Sequence, residues 1–361
     1  MQIQIYKKMQ TILGNNYAID FNENGYNELN ILLQKNNYSK IFLLVDENTN
    51  EHCAPKFLSL LATEIPIEII EIEAGEGNKN ITTCVEVWTV LTELGADRKS
   101  VLLNLGGGVI TDIGGFIAST FKRGIDFINI PTTLLAMVDA SVGGKNGVDL
   151  GELKNQIGVI NNPKMVLVDT DYLSTLPQQE MRSGLAEMLK HGLIFDQKYW
   201  NEFKDLSKLN FDDLDDLIHQ SIVIKNKIVL QDPTENGIRK ALNFGHTLGH
   251  AIESLFLNTK KHLLHGEAIA IGMILESFIS KEKKLISEDE YSEIKTVLKS
   301  IYDQVVFDEN EIENIVKLLI HDKKNEYGNV QFALLNGIGN TKISEPVAND
   351  LILNSFEDYK M

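Results

Sequence analysis

The sequence predicts an α/β amino-terminal half built on a parallel sheet, followed by a mainly α-helical carboxyl-terminal half. Two observations carry this. In the first half, short apolar runs rich in Val, Ile and Leu alternate with stretches of helical periodicity, the pattern of strands joined by crossover helices. After TLPQQEMRSG (175–184) the strands largely stop and long helical patterns take over. That change of pattern divides the chain into domains at 1–175 and 176–361.

Taken in order, KIFLLVD (40–46), IEIIEIE (67–73), VLLNLGG (101–107), DFINIP (126–131) and MVLVDT (165–170) read as buried strands. NITTCVEVWTVLTELGA (80–96) between two of them has helical spacing. Beyond residue 176 the helical patterns are EMRSGLAEMLKHGLI, DDLDDLIHQSIVIKNKIVL, RKALNFGHTLGHAIESLF, GEAIAIGMILESFISKEKK and SEIKTVLKSIYDQ. VQFALL (330–335) and TKIS (341–344), flanking NGIGN, read as a hairpin.

With 361 residues, 43% of them hydrophobic, the chain can bury a large core. Its net charge of −17 repels phosphate backbones and argues against nucleic-acid binding. An anionic small molecule needs a local reversal of sign from clustered Lys and Arg. MQIQIYKKMQ has no signal-peptide core and no apolar run is long enough for a bilayer, so a soluble cytoplasmic protein is expected. Cys53 and Cys84 are too few for a disulfide framework or a thiolate metal site.

VLLNLGGGVITDIGGF (101–116) is strand, glycine turn, then small-residue helix, a geometry in which a pyrophosphate is favoured by the helix N-terminus. It is not the G-x-G-x-x-G fingerprint, and such turns also serve packing alone. Asp46 ends an apolar strand, where its carboxylate can accept ribose hydroxyls or cap a helix. The pair is compatible with a dinucleotide on a Rossmann-like sheet, although the acidic strand precedes the glycine turn, the reverse of the usual order, and no Arg stands near Asp46 to greet a ribose phosphate.

On one continuous helix, Arg239, Asn243, His246 and His250 fall within a sector of roughly 60°. Buried polar groups need partners, and a ligand supplies them. Gly245 and Gly249 each cost such a helix roughly 1 kcal/mol, which points to close approach by another element or a ligand. In GLAEMLKHG (184–192), Glu187, Lys190 and His191 stand at i, i+3 and i+4, and HLLHGEAIAIGM adds His262 and His265. One Glu with two His is a normal zinc set. Spacing alone leaves open whether His246 and His250 chelate a metal, catalyse or pack.

With these residues in view, the chain resembles the 3-dehydroquinate synthases, a family of sugar phosphate cyclases, from about residue 40 to 345. The stretches that carry the likeness are RGIDFINIPTTLLAMVDASVGGKNGVDLGELKNQIG (123–158), GLAEMLKHGLI, NFGHTLGHAIE, HGEAIAIGM and DKKN (322–325). The resemblance implies an NAD-binding α/β domain followed by a helical metal- and substrate-binding domain. It implies zinc, with Co2+ as a substitute, on Glu187, His246 and His265; His250 faces substrate and moves protons, and His262 is a decoy.

The same resemblance assigns NAD contacts to Asp46, Asn48, Glu76, Lys79, Gly107, Gly108, Val109, Asp112, Thr132, Thr133, Lys154, Leu173, Ser174 and Thr175. Substrate contacts are implied for Arg123, Asp139, Lys145, Asn155, Lys190, Lys225, Arg239, Asn243, His250 and Lys324 of the DKK run. Catalytic roles are implied for His250, Glu235 as proton acceptor, Lys145, Arg123 and Asn155. Asn146, Thr111 and Gly114 depart from the residues commoner in the family, and none of them removes a charge.

The implied reaction converts 3-deoxy-D-arabino-heptulosonate 7-phosphate to 3-dehydroquinate plus phosphate, on the route to aromatic amino acids. It proceeds by transient NAD oxidation, phosphate elimination, reduction and intramolecular aldol closure, and a homodimer is expected. The cations Arg123, Lys145, Lys190, Lys225, Arg239 and Lys324 are the sign reversal that an acidic chain needs around such a substrate. Sister cyclases share most of this framework. An NAD- and metal-dependent polyol dehydrogenase on the same fold needs the nucleotide and the metal but not six cations. A metal-stabilised binding protein has no use for His250, Glu235 and Lys145 together.

Overall fold

The computed structural model describes residues 9–151, 153–205, 211–257, 259–319 and 330–361. Lys324, expected to touch substrate, lies outside them.

Two compact units form. The first comprises the chain up to Gly151, Ile157–Leu176 and the start of a long helix up to Val223; the second takes in residues up to Gln156, the chain from Pro177, and that helix from Ile224 onward. The chain thus changes unit after Leu176 and makes two shorter excursions that a single cut does not describe.

In the first unit the order is β1 (Ile12–Leu13), β2 (Ala18–Phe21), α1 (Asn22–Asn36), β3 (Ile41–Asp46), α2 (Glu47–His52), α3 (Ala54–Leu60), β4 (Ile67–Ile72) and α4 (Ile81–Glu93). Then come β5 (Val101–Gly106), α5 (Gly108–Thr120), β6 (Asp126–Pro131), β7 (Lys145–Leu150), β8 (Leu153–Ile160) and β9 (Met165–Val168). The described sheet runs β1-β2-β9-β6-β5-β3-β4, parallel except for β1 against β2. Every residue of β3 up to Val45, and every residue of β5 and β9, is buried, as continuous apolar runs inside an α/β sheet must be.

One strand expected to be buried is not. β4 is an edge strand, and its Ile69 is 45% exposed while Ile70 and Ile72 are covered. An edge strand is covered less completely than the strands inside the sheet, and the interleaved Glu residues of IEIIEIE already carry that pattern. β2, only four residues long, escaped the pattern reading altogether.

The second unit is helical: α6 (Gln178–Phe195), α7 (Gln197–Asn201), α8 (Phe211–Gln231), α9 (His246–Phe256), α10 (His265–Glu282), α11 (Glu288–Ile301), α12 (Glu309–Leu319), the hairpin of β10 (Gln331–Leu335) with β11 (Thr341–Pro346), and α13 (Asn349–Lys360). Among the described residues no helix is long and apolar enough to cross a membrane.

The expected single helix RKALNFGHTLGHAIESLF is broken. Ile238–Asn243 form a 3₁₀ turn, Gly245 takes a left-handed φ of 78°, and α9 begins at His246. The stripe of Arg239, Asn243, His246 and His250 therefore does not run down one helix face. Gly245 sits outside the helix and costs it nothing there, whereas the expected close approach is real. A Cβ on Gly245 meets Ile269 O at 3.1 Å, and one on Gly249 meets Ala268 O at 3.0 Å, so the start of α9 lies backbone to backbone on α10.

Candidate active site

In the first unit the residues expected to hold a dinucleotide follow the carboxyl ends of five neighbouring parallel strands. Thr170–Thr175 follows β9, Thr132 and Thr133 follow β6, the turn of Gly107 and Gly108 follows β5, Asp46 ends β3, and Glu76 and Lys79 follow β4. That edge is where open α/β sheets take ligands. Gly107 caps α5, whose N-terminus carries Gly108, Val109 and, one turn on, Asp112.

Asp46 is a helix cap: its Oδ1 accepts from Thr49 N at 2.8 Å and from Thr49 Oγ1 at 2.9 Å, heading α2, on which Asn48 is exposed. Lys79 is buried between Glu76 and Asp112, each at 3.2 Å. Burial lowers the affinity of the Lys79 amine for its proton, but the two carboxylates outweigh that and hold it charged. Burial pushes Asp112 up to about 6 against the pull of Lys79.

Arg123 is exposed, with a left-handed φ of 69°, on the short connection from α5 to the amino end of β6, away from the carboxyl edge. Asp139 is partly buried on a π-helical turn and Lys145 is exposed at the start of β7. Asn146, a departure from the family pattern, is buried and donates to the carbonyls of Gly144 at 2.9 Å and Asn161 at 2.8 Å, so it braces the local turn.

The second unit gathers the metal candidates. Glu187 on α6 is fully buried, and its Oε1 lies 3.4 Å from His246 Nε2 and 3.8 Å from His265 Nε2. Donors about 2.0–2.2 Å from one tetrahedral ion stand roughly 3.3–3.6 Å apart, so the Glu187–His246 pair lies within that range and the Glu187–His265 pair slightly beyond it, a small adjustment away from holding a zinc-sized cation. The far nitrogens are occupied as metal-binding histidines require: His246 Nδ1 donates to Phe244 O at 3.2 Å and His265 Nδ1 to Glu253 Oε2 at 3.1 Å. Both Nε2 atoms are left to face Glu187.

His250, one turn along α9, has its ring 5.0 Å from that of His246 and 5.7 Å from that of His265. Ligand atoms of all three histidines lie within 4.8 Å of one another. Geometry therefore brings four candidates together and admits a triad with or without His250. His262 is exposed, while His265 opens α10.

Electrostatics around the cluster are strong. Burial alone lowers the affinity of His265 for protons, but Glu253 and Glu187 outweigh it and push it up to about 10. The same field would favour a dication at Nε2 in place of that proton. Burial raises the Glu253 carboxyl, yet His265 and Lys154 hold it well below the usual range. Lys190, buried on α6, contacts Glu187 Oε2.

The remaining candidates of this unit are also set in place. Lys225 is buried on α8. Arg239 is 1% exposed and donates to Pro233 O at 2.7 Å, and Asn243 Nδ2 donates to Glu235 Oε1 at 3.1 Å. Glu235 has a left-handed φ of 61°. Lys154 lies 3.3 Å from Glu253. Asn155 is exposed with φ of 50°.

Three carboxylates were missed in the sequence. Glu253 orients His265. Glu276 on α10 is fully buried and accepts from Gly245 N at 2.7 Å and Leu248 N at 3.1 Å, capping the helix that begins with His246. Asp232 accepts from Asn236, Gly237 and Arg239 backbone N–H groups at 3.0, 2.7 and 3.0 Å and so shapes the DPTENGIR loop. Burial raises its pKa, and those N–H groups outweigh it to hold the carboxyl below its usual range. Glu253 had a signal, since it stands three residues after His250; the other two bind backbone and leave no motif.

The family models for the 3-dehydroquinate synthase N-terminal and C-terminal regions match residues 69–183 and 184–325. The chain belongs to the 3-dehydroquinate synthase family. It is an enzyme of that cyclase type. The chain is 42% identical to the 3-dehydroquinate synthase of Parabacteroides distasonis over 339 residues, 92% of this chain and 95% of that one. It is 36% identical to that of Campylobacter hominis over 346 residues, 92% of this chain and all of the relative. Among solved structures, a 2-deoxy-scyllo-inosose synthase complexed with carbaglucose-6-phosphate, NAD+ and Co2+ superposes with a TM-score of 0.84 at 27% identity, covering 97% of this chain and 100% of that one.

Proposed function

We propose that this chain is a lyase that converts 3-deoxy-D-arabino-heptulosonate 7-phosphate to 3-dehydroquinate and inorganic phosphate. The observation that carries the reading is the convergence of Glu187 Oε1 with the Nε2 atoms of His246 and His265, beside His250, in a chain of this family. Glu187, His246 and His265 hold zinc in this reading. NAD takes the carboxyl edge of the sheet, with the α5 N-terminus toward its pyrophosphate and Asp46 Oδ2 toward a ribose, Oδ1 being engaged by Thr49. When bound, NAD takes up and returns one hydride and the metal ion acidifies a ring hydroxyl.

The chain's own residues do the rest. Lys190, Lys225 and Arg239 are buried cations, whose charge is felt more strongly in a low-dielectric site than in water. With Arg123, Lys145 and Lys324 they bind the substrate's carboxylate and phosphate; Asp139, Asn155 and Asn243 take hydroxyls. His250 moves the proton of the reacting hydroxyl, and Glu235, held by Asn243, accepts a second. A metal with three protein ligands keeps a position open for substrate, which is why His250 is placed outside the ligand set. The final ring closure is intramolecular and needs mainly orientation. The enzyme is proposed to act as a cytoplasmic homodimer.

The test is phosphate release from the heptulosonate phosphate by the purified chain, with zinc and NAD far below substrate concentration. Dehydroquinate should form in step with phosphate while no NADH accumulates. NADH rising with turnover of a polyol, and no phosphate released, refutes the proposal in favour of a dehydrogenase.

A further inference from the structure

We infer that Glu253 is a positioning residue with two arms: one carboxylate oxygen orients His265, and the other ties the segment carrying Lys154 and Asn155 to α9. The first arm rests on the metal reading above; the second does not.

Glu253 stands on α9 seven residues after His246 and three after His250, so it shares their face of the helix. Its side chain is 7% exposed, and a carboxylate that deep is stable only when both oxygens are engaged. They are engaged by different partners. Oε2 accepts from His265 Nδ1 at 3.1 Å, and Oε1 lies 3.3 Å from Lys154 Nζ. The first contact fixes the tautomer that leaves His265 Nε2 as a lone-pair donor aimed at the Glu187 side.

The second contact buries the Lys154 ammonium to 8% exposure. Its neighbour Asn155 has a left-handed φ of 50°, a backbone state that persists when the surroundings hold it. Residues 153–156 pack with the helical unit, and a contact is needed to hold them there. The Lys154–Glu253 pair is such a tie. One carboxylate thereby joins His265 to Lys154, expected at NAD, and so to the segment whose next residue, Asn155, is expected to take a substrate hydroxyl.

The experiment compares the full-length wild type with Glu253→Gln, which keeps the shape and removes the charge. Zinc affinity is measured by chelator competition, and Lys154 accessibility by amine acetylation with peptide mass spectrometry. Zinc affinity should fall about 10–100-fold, as for loss of other partners of metal-bound histidines, with the Co2+ absorption spectrum altered. Lys154 labelling should rise several-fold. Zinc affinity within twofold of wild type, or unchanged labelling, overturns the corresponding arm. If the wild type itself takes up no zinc, the metal reading fails, and the labelling still decides the tie. Should Glu253→Gln not fold, Glu253→Asp, which keeps the charge and shortens the side chain, is read by the same two measurements, and unchanged Lys154 labelling refutes the second arm.

Discussion

Gly272→Ala tests whether the packing of α9 on α10 sets the metal geometry. A Cβ on Gly272 stands 2.0 Å from Gly245 O and 2.9 Å from both Gly245 C and Gly249 N, all of them backbone atoms. Backbone cannot rotate away as a flexible side chain can, so the two helices must separate by roughly 1 Å before contact is tolerable. Gly245 precedes His246, and α10 begins with His265, so the displacement falls directly between two candidate ligands. Metal sites hold their ligand distances to about 0.2 Å, several times less than this shift. Overpacking of this kind costs about 1–3 kcal/mol of stability. Zinc affinity should fall at least about tenfold and turnover about 10²-fold, as for misplacements near 1 Å. The assay is chelator competition for zinc, with thermal unfolding of the metal-free protein to isolate the packing cost. Gly249→Ala is the graded comparison, because its Cβ meets the end of a flexible side chain, Ile269 Cδ1, at 2.8 Å, with the nearest backbone atom at 3.0 Å. If Gly272→Ala binds zinc within twofold of wild type, or Gly249→Ala is the more damaging, helix contact does not set the ligand geometry.

His246→Ala and His265→Ala should each lose zinc, measured by metal analysis of purified protein, while the exposed His262→Ala keeps zinc and activity. His250→Ala should retain near-stoichiometric zinc and turn over roughly 10²–10⁴ times more slowly; loss of zinc with His250 makes it a ligand. Asp358 is held below the usual carboxylate range: burial opposes this, but Lys295 at 2.8 Å and the Tyr291 hydroxyl outweigh it. Its stabilisation is therefore present above the unfolded pKa and lost as pH falls through the lower folded value. Asp358→Asn should cost about 1–2 kcal/mol in urea unfolding near neutral pH, with the gap to wild type closing on acidification below the usual carboxylate range. A gap that is constant with pH contradicts the assignment.

The strands that build the sheet interior were legible because burial on both faces demands uninterrupted apolar runs, and KIFLLVD, VLLNLGG and MVLVDT supply them. The glycine turn and the cluster of Glu, His and Lys were legible as residue types at telling spacings. Tertiary packing decided the rest. Nothing local says that RKALNFGHTLGHAIESLF breaks at Gly245; the break follows from α10, whose Gly272 admits the Gly245 carbonyl and whose Glu276 caps the new helix start. Nor does spacing say which His265 nitrogen faces Glu187, since that is set by Glu253 from another helix. Periodicity reports which face of an element meets an apolar neighbour, because burial is averaged over many residues. A left-handed turn or a histidine tautomer depends on one or two hydrogen bonds from residues 12 to 31 positions away, and those exist only once the helices have packed.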